Sequence, residues 1–267
     1  MKIYQLCLVG CFLLFACQSQ KSFSGNYKNL SVVEQQMADS LLSWALDHEA
    51  LYTLCDTLKP MSSVRMYRLP LLSPEQTTRD SAQQILKQLY TVAKALQTKK
   101  LSFVVNPFER NDSIYKNIEC YVIRHERLQQ LIKEKQAFYN KLGIAPNTAP
   151  EALLAITEYE QKYTRWQSYG YLFGYPEHAV QFFVEAGKQQ DSTGKFVQRD
   201  FIHIPVAVAN SGYFTYAVPK GYMLTAIDSS IQQSAAVTLN KYQLFKKQYG
   251  MQPKTVWRIL RKMNSSN

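Results

Sequence analysis

The N-terminal segment decides which part of this chain is able to fold as a globular domain. Lys2 is followed by an apolar run from Ile3 to Ala16, which only Gln5 and Gly10 interrupt. A helix that crosses a bilayer needs about 20 apolar residues, so this run is too short to span a membrane stably. A positive start, a short apolar core and a small residue at its end are typical of a secretory signal peptide. We therefore expect residues 1–16 to be removed.

The residues around the expected cleavage site, Leu14-Phe15-Ala16-Cys17, resemble the lipobox of bacterial lipoproteins. The resemblance implies that Cys17 becomes the first mature residue and carries a diacylglycerol on its thiol and an acyl chain on its amino group. Each buried CH₂ contributes about 0.8 kcal/mol, so two or three chains make such an anchor effectively permanent. The alternative is an ordinary secretory signal in which Cys17 has no role. The resemblance covers this segment alone and implies no family for the folded domain.

The residues that follow Cys17, up to residue 30, are polar and rich in Ser, Gln and Asn. This composition predicts a flexible tether that lets the domain stand away from the membrane surface. The tether lacks the early acidic cluster that directs some lipoproteins to the cell exterior. By that resemblance we expect an envelope location, on the outer membrane and facing the periplasm.

The chain is basic, with 31 Lys and Arg residues against 20 Asp and Glu, a formal charge of +11. For an exported protein this charge favours anionic lipid, lipopolysaccharide or cell-wall polymer as the partner, and not nucleic acid. No acidic residue follows Asp228, and a last helix carries basic residues beside Val256, Trp257 and Leu260. It is interpreted either as a basic amphipathic surface for anionic headgroups or as a solvated positive face favoured by the helix dipole. Its candidate binding residues are Lys254, Arg258, Arg261 and Lys262.

Apolar periodicity predicts about seven helices and about five short strands, hence an α+β fold with a small antiparallel sheet. The longest early stripe predicts one helix over Ser31–Leu58, closed by Pro60. We expect residues 31–263 to form a single domain, with a possible soft boundary at 143–150. With 46% hydrophobic residues the chain has ample material for a core.

The strand predictions rest on short apolar runs bounded by turn residues. Leu101–Val105 is expected to stop at Asn106-Pro107, and Ile118–Ile123 is expected to form another strand. A hairpin is expected near 201–218, with its turn at the Ala-Asn-Ser-Gly sequence of residues 209–212.

Candidate catalytic residues are few, and none belongs to a recognisable motif. His48 and Glu49 are adjacent, as are Glu177 and His178, but neighbours on a helix point about 100° apart and do not form a dyad. His48 lies in an apolar stripe, so we interpret it as a core histidine. The sequence contains no HExxH, GxSxG, Walker or dinucleotide-binding motif. We therefore expect no metal or other cofactor.

Two further features bear on binding and on redox state. Aromatic residues are dense around residues 169–175, and consecutive aromatics in a turn cannot all be buried, so Tyr169, Tyr171 and Tyr175 are candidate binding residues. Once the signal is removed and Cys17 is lipidated, only Cys55 and Cys120 remain. Sequence leaves open whether they form a disulfide, because that depends on geometry.

These observations predict a membrane-anchored envelope lipoprotein that acts as a non-catalytic binding or assembly module, whose partner is an anionic envelope component or another protein. The alternative is a cell-wall or glycan hydrolase that uses His48, Glu49, Glu177 or His178. A hydrolase requires a carboxylate and a His in one open cleft, whereas a binding module requires only an aromatic or basic surface.

Overall fold

The computed structural model describes residues 24–250 and 252–265. Cys17, where lipidation is predicted, lies outside the described residues. Within them, helices outweigh strands, and three of the α-helices are single turns. The helices are α1 (Ser24–Tyr27), α2 (Val32–Asp47), α3 (Leu51–Leu54), α4 (Gln76–Ala95), α5 (His125–Glu134), α6 (Gln136–Tyr139), α7 (Pro150–Tyr159), α8 (Lys162–Leu172), α9 (Glu177–Thr193), α10 (Ala226–Tyr249) and α11 (Pro253–Ser265), with a 3₁₀ turn at Asn140–Leu142.

Five strands form two antiparallel sheets in the described part of the chain. They are β1 (Met61–Leu69), β2 (Leu101–Asn111), β3 (Lys116–Arg124), β4 (Arg199–Val206) and β5 (Ala209–Pro219). The first sheet has the order β1-β3-β2, and β4 and β5 pair only with each other. The predicted α+β class is confirmed. The estimate of about seven helices is too low, and the hairpin forms a sheet of its own.

The three-stranded sheet is covered on both faces, which explains the nearly continuous apolar sequence of β3. On one face, Cys120 and Val122 belong to a large core that also contains residues of α2, α4 and α10. On the other face, Tyr121 and Ile123 belong to a second core with residues of α5, α7 and α9. Because side chains of a strand alternate between faces, the central strand separates the two cores.

The predicted helix over Ser31–Leu58 is wrong in its second half. Ser31 and Glu34 form a capping box that starts α2, and the helix ends at Asp47, followed by an extended backbone at His48. A separate turn, α3, then begins at Leu51. The apolar spacing did not reveal the break because the residues beyond it are buried as well.

Strand β2 also differs from its prediction, since it continues through Asn106 and Pro107 to Asn111. Proline removes a backbone donor and normally ends a central strand, but it is tolerated at a sheet edge. The strand order makes β2 an edge strand, which accounts for the continuation.

The hairpin turn lies at Ala207 and Val208, because Val206 pairs with Ala209. The Ala-Asn-Ser-Gly sequence predicted as the turn lies in β5 instead. There Ile204 pairs with Phe214, so the residues between Ala209 and Phe214 bulge out of the ladder. Gly212 adopts a φ of 97° within this bulge, a conformation that a glycine accepts without steric cost.

The two ends of the described chain pack together. Although residues 17–30 were predicted as a flexible tether, α1 forms within that range and Leu30 is buried. The Tyr27 ring meets the Trp257 ring of α11 edge-on, with centroids 4.8 Å apart. Asp39 of α2 accepts hydrogen bonds from the Tyr27 hydroxyl (2.9 Å) and the Trp257 indole N–H (2.8 Å). This buried carboxylate therefore joins α1, α2 and α11.

Candidate functional site

His48 lies at the end of α2 with only 6% of its surface exposed. Its Nδ1–H donates to the Trp44 carbonyl oxygen at 2.7 Å, and its ring stacks on Trp44 with centroids 3.9 Å apart. The ring of Tyr213, from the bulge in β5, also meets the imidazole, in an edge-type contact with centroids 4.4 Å apart. The imidazole is thus enclosed by two aromatic rings and does not face an open cleft.

Glu49 is buried beside His48 but faces a different partner, the ammonium of Lys59, which donates to Glu49 Oε2. Lys59 has no exposed surface and lies near three rings, at 4.2 Å from the Phe214 centroid, 5.5 Å from Phe173 and 6.0 Å from Tyr175. Burial lowers the pKa of Lys59, and the Glu49 carboxylate opposes that shift. Sequence reasoning missed this pair because a lysine in the turn before Pro60 looks solvated.

Glu177 and His178, adjacent in sequence, enter separate networks. Glu177 forms an ion pair with Lys135 and accepts a hydrogen bond from the Tyr171 hydroxyl at 2.7 Å. His178 Nε2 lies 2.9 Å from the Tyr222 hydroxyl and 3.3 Å from Asp228 Oδ1. The structure therefore does not assemble these two residues, or His48 and Glu49, into one catalytic cleft.

The three tyrosines predicted for binding are divided between two grooves. Tyr171 and Tyr175 line the first, a groove of about 420 Å³ that we call the charged groove. Four of its charged side chains form ion pairs, Arg127 with Glu134 and Lys135 with Glu177, and the fifth, Asp56, accepts hydrogen bonds from Thr57 N–H and the Thr238 hydroxyl. Tyr169 lines the second groove.

This second groove, of about 460 Å³, lies on the face of the three-stranded sheet and is called the sheet groove. Five aromatic rings and five polar or charged side chains line it. The rings are those of Phe108, Tyr121, Trp166, Tyr169 and Phe173. The polar and charged residues are Ser63, Arg110, Glu119, Glu158 and Arg165. Apart from Tyr169, none of them was selected as a binding residue from the sequence, because they come from β1, β2, β3, α7, α8 and the residue after α8 and share no motif.

Glu119 is buried in the sheet groove and accepts a hydrogen bond from Ser63 Oγ. Burial raises the pKa of Glu119 to about 7; the Ser63 hydrogen bond opposes this shift and the nearby Glu49 carboxylate adds to it. Asn106 lies directly opposite Glu119 across the strand pair, so the two side chains share a face of the sheet. In the described part of the chain, Asn106 Nδ2 is the one buried side-chain polar atom without a hydrogen-bond partner.

Glu158, the other carboxylate of the sheet groove, is held at both oxygens. It accepts the Glu109 backbone N–H at 2.9 Å and the Tyr169 hydroxyl at 2.6 Å. Arg165 donates to Glu109 at 2.5 Å and to the Glu158 carbonyl oxygen at 2.9 Å. These contacts fix the wall of the groove around Tyr169.

Helix α11 is amphipathic in the structure. Val256, Ile259, Leu260 and Met263 are buried in the large core. Arg258, Arg261 and Lys262 lie on its solvent-exposed side, which we call the basic face. The Lys254 side chain lies outside the described part of the structure.

Cys55 and Cys120 are both buried thiols, and no disulfide joins them. Among residues 24–250 and 252–265, no group of three or more His, Cys, Asp and Glu side chains is arranged to hold a metal ion. No helix in those ranges combines the length and hydrophobicity that a bilayer crossing requires. No protein family, curated protein or solved structure was found to match this chain.

Proposed function

We propose that this chain is an envelope lipoprotein that is anchored by lipid at Cys17 and acts as a non-catalytic binding module, with its basic face against an anionic membrane surface. One observation carries the proposal. The described chain begins beside α11, because the Tyr27 ring contacts the Trp257 ring. An anchor at Cys17 would therefore pull on the side of the domain that bears the basic face.

The length of the intervening chain keeps that face close to the surface. Tyr27 lies ten positions after Cys17 in the sequence, so ten residue steps join them. Even fully extended they would reach no more than about 35 Å. Attachment at one point raises the local concentration of headgroups around the basic face, so weak contacts suffice for docking.

Electrostatics supplies those contacts. Each Lys or Arg close to an anionic membrane contributes about 1 kcal/mol, and the attraction decays within a Debye length of about 8 Å at physiological salt. Arg258, Arg261 and Lys262 are exposed on adjacent turns of one helix. Other basic residues near the C-terminus face the protein, since Lys246 pairs with Asp47 and Lys241 donates to the Met263 carbonyl oxygen.

Binding is preferred over hydrolysis as the proposal because of where the candidate catalytic residues lie. His48 is enclosed by Trp44 and Tyr213, and Glu49 is engaged with Lys59. Glu177 and His178 enter separate networks. No two of these four residues place a carboxylate and an imidazole together in one open cleft.

The anchor is tested by expressing the full chain and its Cys17→Ser variant in bacteria. The parent should incorporate labelled fatty acid and sediment with membranes, and the variant should do neither. A Cys17→Ser protein that is still labelled would contradict the proposal.

The docking face is tested with a chain that begins at Gln18, which keeps every described residue. It should bind phosphatidylglycerol vesicles at low salt, lose binding as salt rises, and ignore phosphatidylcholine vesicles. Reversing Arg258, Arg261 and Lys262 to Glu should remove binding. A control that reverses the exposed Lys99, Lys100 and Lys195 has the same net charge and should retain most of it. If both variants lose vesicle binding equally, binding depends on net charge alone and the basic face is not the docking surface.

A further inference from the structure

We propose that the sheet groove binds an uncharged oligosaccharide, with its aromatic rings stacked on the sugar and with Glu119 hydrogen-bonded to sugar hydroxyls. The groove, of about 460 Å³, falls within the range of roughly 300–1,000 Å³ typical of small-ligand sites. This inference concerns the face of the sheet and does not depend on lipid anchoring or on the basic face.

The groove has a polar floor around the buried side chain of Glu119. Glu119 lines the groove, has one side-chain partner, Ser63, and is 5% exposed. Asn106 does not itself line the groove, but it lies opposite Glu119 on the same face of the sheet, is 6% exposed and leaves Nδ2 without a partner. Unpaired buried polar groups cost free energy, so their presence in a folded protein calls for an explanation such as a ligand. A hydroxyl group both donates and accepts, and it therefore suits a carboxyl and an amide that share one face.

The aromatic rings of the groove offer flat apolar surfaces to a ligand. Tyr169 and Phe173 lie nearly parallel, 19° apart with centroids at 5.9 Å, and Tyr121 lies 6.3 Å from each of them. Trp166, Tyr169 and Phe173 are partly exposed, so solvent reaches their surfaces. A pyranose presents an apolar face of C–H groups and a rim of hydroxyls, which matches rings that surround a polar floor.

The groove lining has equal numbers of acidic and basic side chains. The lining contains two carboxylates, Glu119 and Glu158, and two guanidinium groups, those of Arg110 and Arg165. Neither a strongly anionic nor a strongly cationic ligand gains net attraction from such a mixture. Glu158 accepts hydrogen bonds from neutral donors on both oxygens, and Arg165 is paired with Glu109. These two charges therefore already have partners within the protein and do not require a charged ligand.

A peptide is a poorer occupant. An extended peptide bound on a sheet gains most of its affinity from backbone hydrogen bonds to an open strand edge. The groove floor comes from side chains of the central strand β3, whose backbone is paired on both sides with β1 and β2. The site therefore offers side-chain chemistry and no free edge.

The test uses the full chain, purified in a detergent without a sugar headgroup, and calorimetric titration with three uncharged oligosaccharides, tetra-N-acetylchitotetraose, maltohexaose and cellotetraose. At least one of these should bind with a dissociation constant of about 1 mM or tighter. Glu119→Ala and Phe108→Ala should each weaken binding by about tenfold or more, and Glu119→Gln should keep it within about threefold. Tyr159→Ala removes an aromatic that is 67% exposed on α7 and does not line the groove, so it should bind as the parent does.

Circular dichroism and thermal unfolding of each variant separate lost binding from lost structure. Absence of binding by all three oligosaccharides would overturn the proposal, and so would binding that both groove variants leave unchanged. Titration with tetramethylammonium tests whether the groove is a cation site instead. If this probe binds, and if Glu119→Gln and Glu119→Ala both abolish its binding, the groove recognises positive charge and the proposal is wrong. None of these outcomes bears on vesicle binding by the basic face.

Discussion

The ammonium nitrogen of Lys59 lies 4.2 Å from the centre of the Phe214 ring, and Lys59 has no exposed surface. A buried cation loses its hydration, which is normally prohibitive unless another charge and suitable dipoles replace the water. Here Glu49 supplies the opposite charge, and the negative face of the Phe214 ring supplies part of the rest. The pair ties the segment after α2 to strand β5.

Breaking this pair on one side should be costly. Lys59→Met should reduce the free energy of unfolding by about 3–5 kcal/mol, because it leaves Glu49 buried without its counter-ion. Lys59→Met combined with Glu49→Leu should recover much of that loss, since no buried charge remains. Urea unfolding of the parent, both single variants and the double variant measures the coupling. Lys188→Met, which removes a lysine from a mostly exposed pair with Glu185, is the control and should cost less than about 1 kcal/mol. If the losses in the two single variants simply add up in the double variant, Lys59 and Glu49 do not stabilise each other and the interpretation is wrong.

Glu119 should make stability depend on pH. Burial raises its pKa in the folded state to about 7, above the ordinary value of 4.5, so the folded protein favours the protonated form. The associated stability is present below about pH 4.5 and is lost as pH rises through about 7, for a total of roughly 3 kcal/mol. Glu119→Gln should therefore match the parent near pH 4.5 and be more stable at pH 8, as measured by denaturant unfolding. The exposed Glu185→Gln change should show no such divergence, and a pH-independent effect of Glu119→Gln would refute the assignment.

Asp228 should make the folded protein less stable as pH falls, which is the opposite of the pH dependence expected from Glu119. Burial would raise its pKa, but hydrogen bonds from Thr225, Tyr216 and Tyr222 outweigh burial and lower it to about 2. The stability gained is present above the ordinary pKa of 3.8 and is lost as pH falls toward 2, by about 2 kcal/mol. Asp228→Asn should flatten that part of the pH dependence in unfolding measurements between about pH 5 and 2. The exposed Asp80→Asn change should leave the slope intact, and an Asp228→Asn protein with an unchanged slope would argue against this role.

Gly187 permits the close packing of Trp166 on α9. A Cβ atom at this position would lie 2.5 Å from the Trp166 ring, so the ring must move in Gly187→Ala. We expect a loss of about 1–3 kcal/mol from overpacking and a shift in the tryptophan emission maximum. Gln190→Ala, at an exposed position on the same helix, should change neither quantity. Unchanged fluorescence and stability in Gly187→Ala would mean that Trp166 is not held against α9.

Sequence patterns predicted the elements of this fold better than their ends. The apolar run at Ile118–Ile123 forms the centre of β3. A strand that is buried on both faces needs apolar residues at successive positions, so the run itself indicated the strand. The end of α2 at Asp47 was missed, since buried residues continue past the break. The continuation of β2 past Pro107 depends on its edge position, which only the assembled sheet defines.

The candidate site was less accessible to sequence reasoning. Tyr169 was selected from the aromatic turn, but Glu119 and Asn106 meet only through the register of β2 and β3. Lys59 and Phe214 are far apart in the chain and meet only after the hairpin docks. Long-range pairs of this kind leave no periodic signal in the sequence.

The burial of Cys55 and Cys120 gives the chain a built-in reporter of its own opening. Burial raises the pKa of Cys55 to about 12 and raises that of Cys120 as well, so neither thiol ionises appreciably while it is covered. Alkylating reagents attack the thiolate, so modification must wait until a segment opens to solvent. Cys55 follows α3 and Cys120 lies at the centre of β3. The order in which the two become labelled would therefore show whether the helical segment or the sheet opens first.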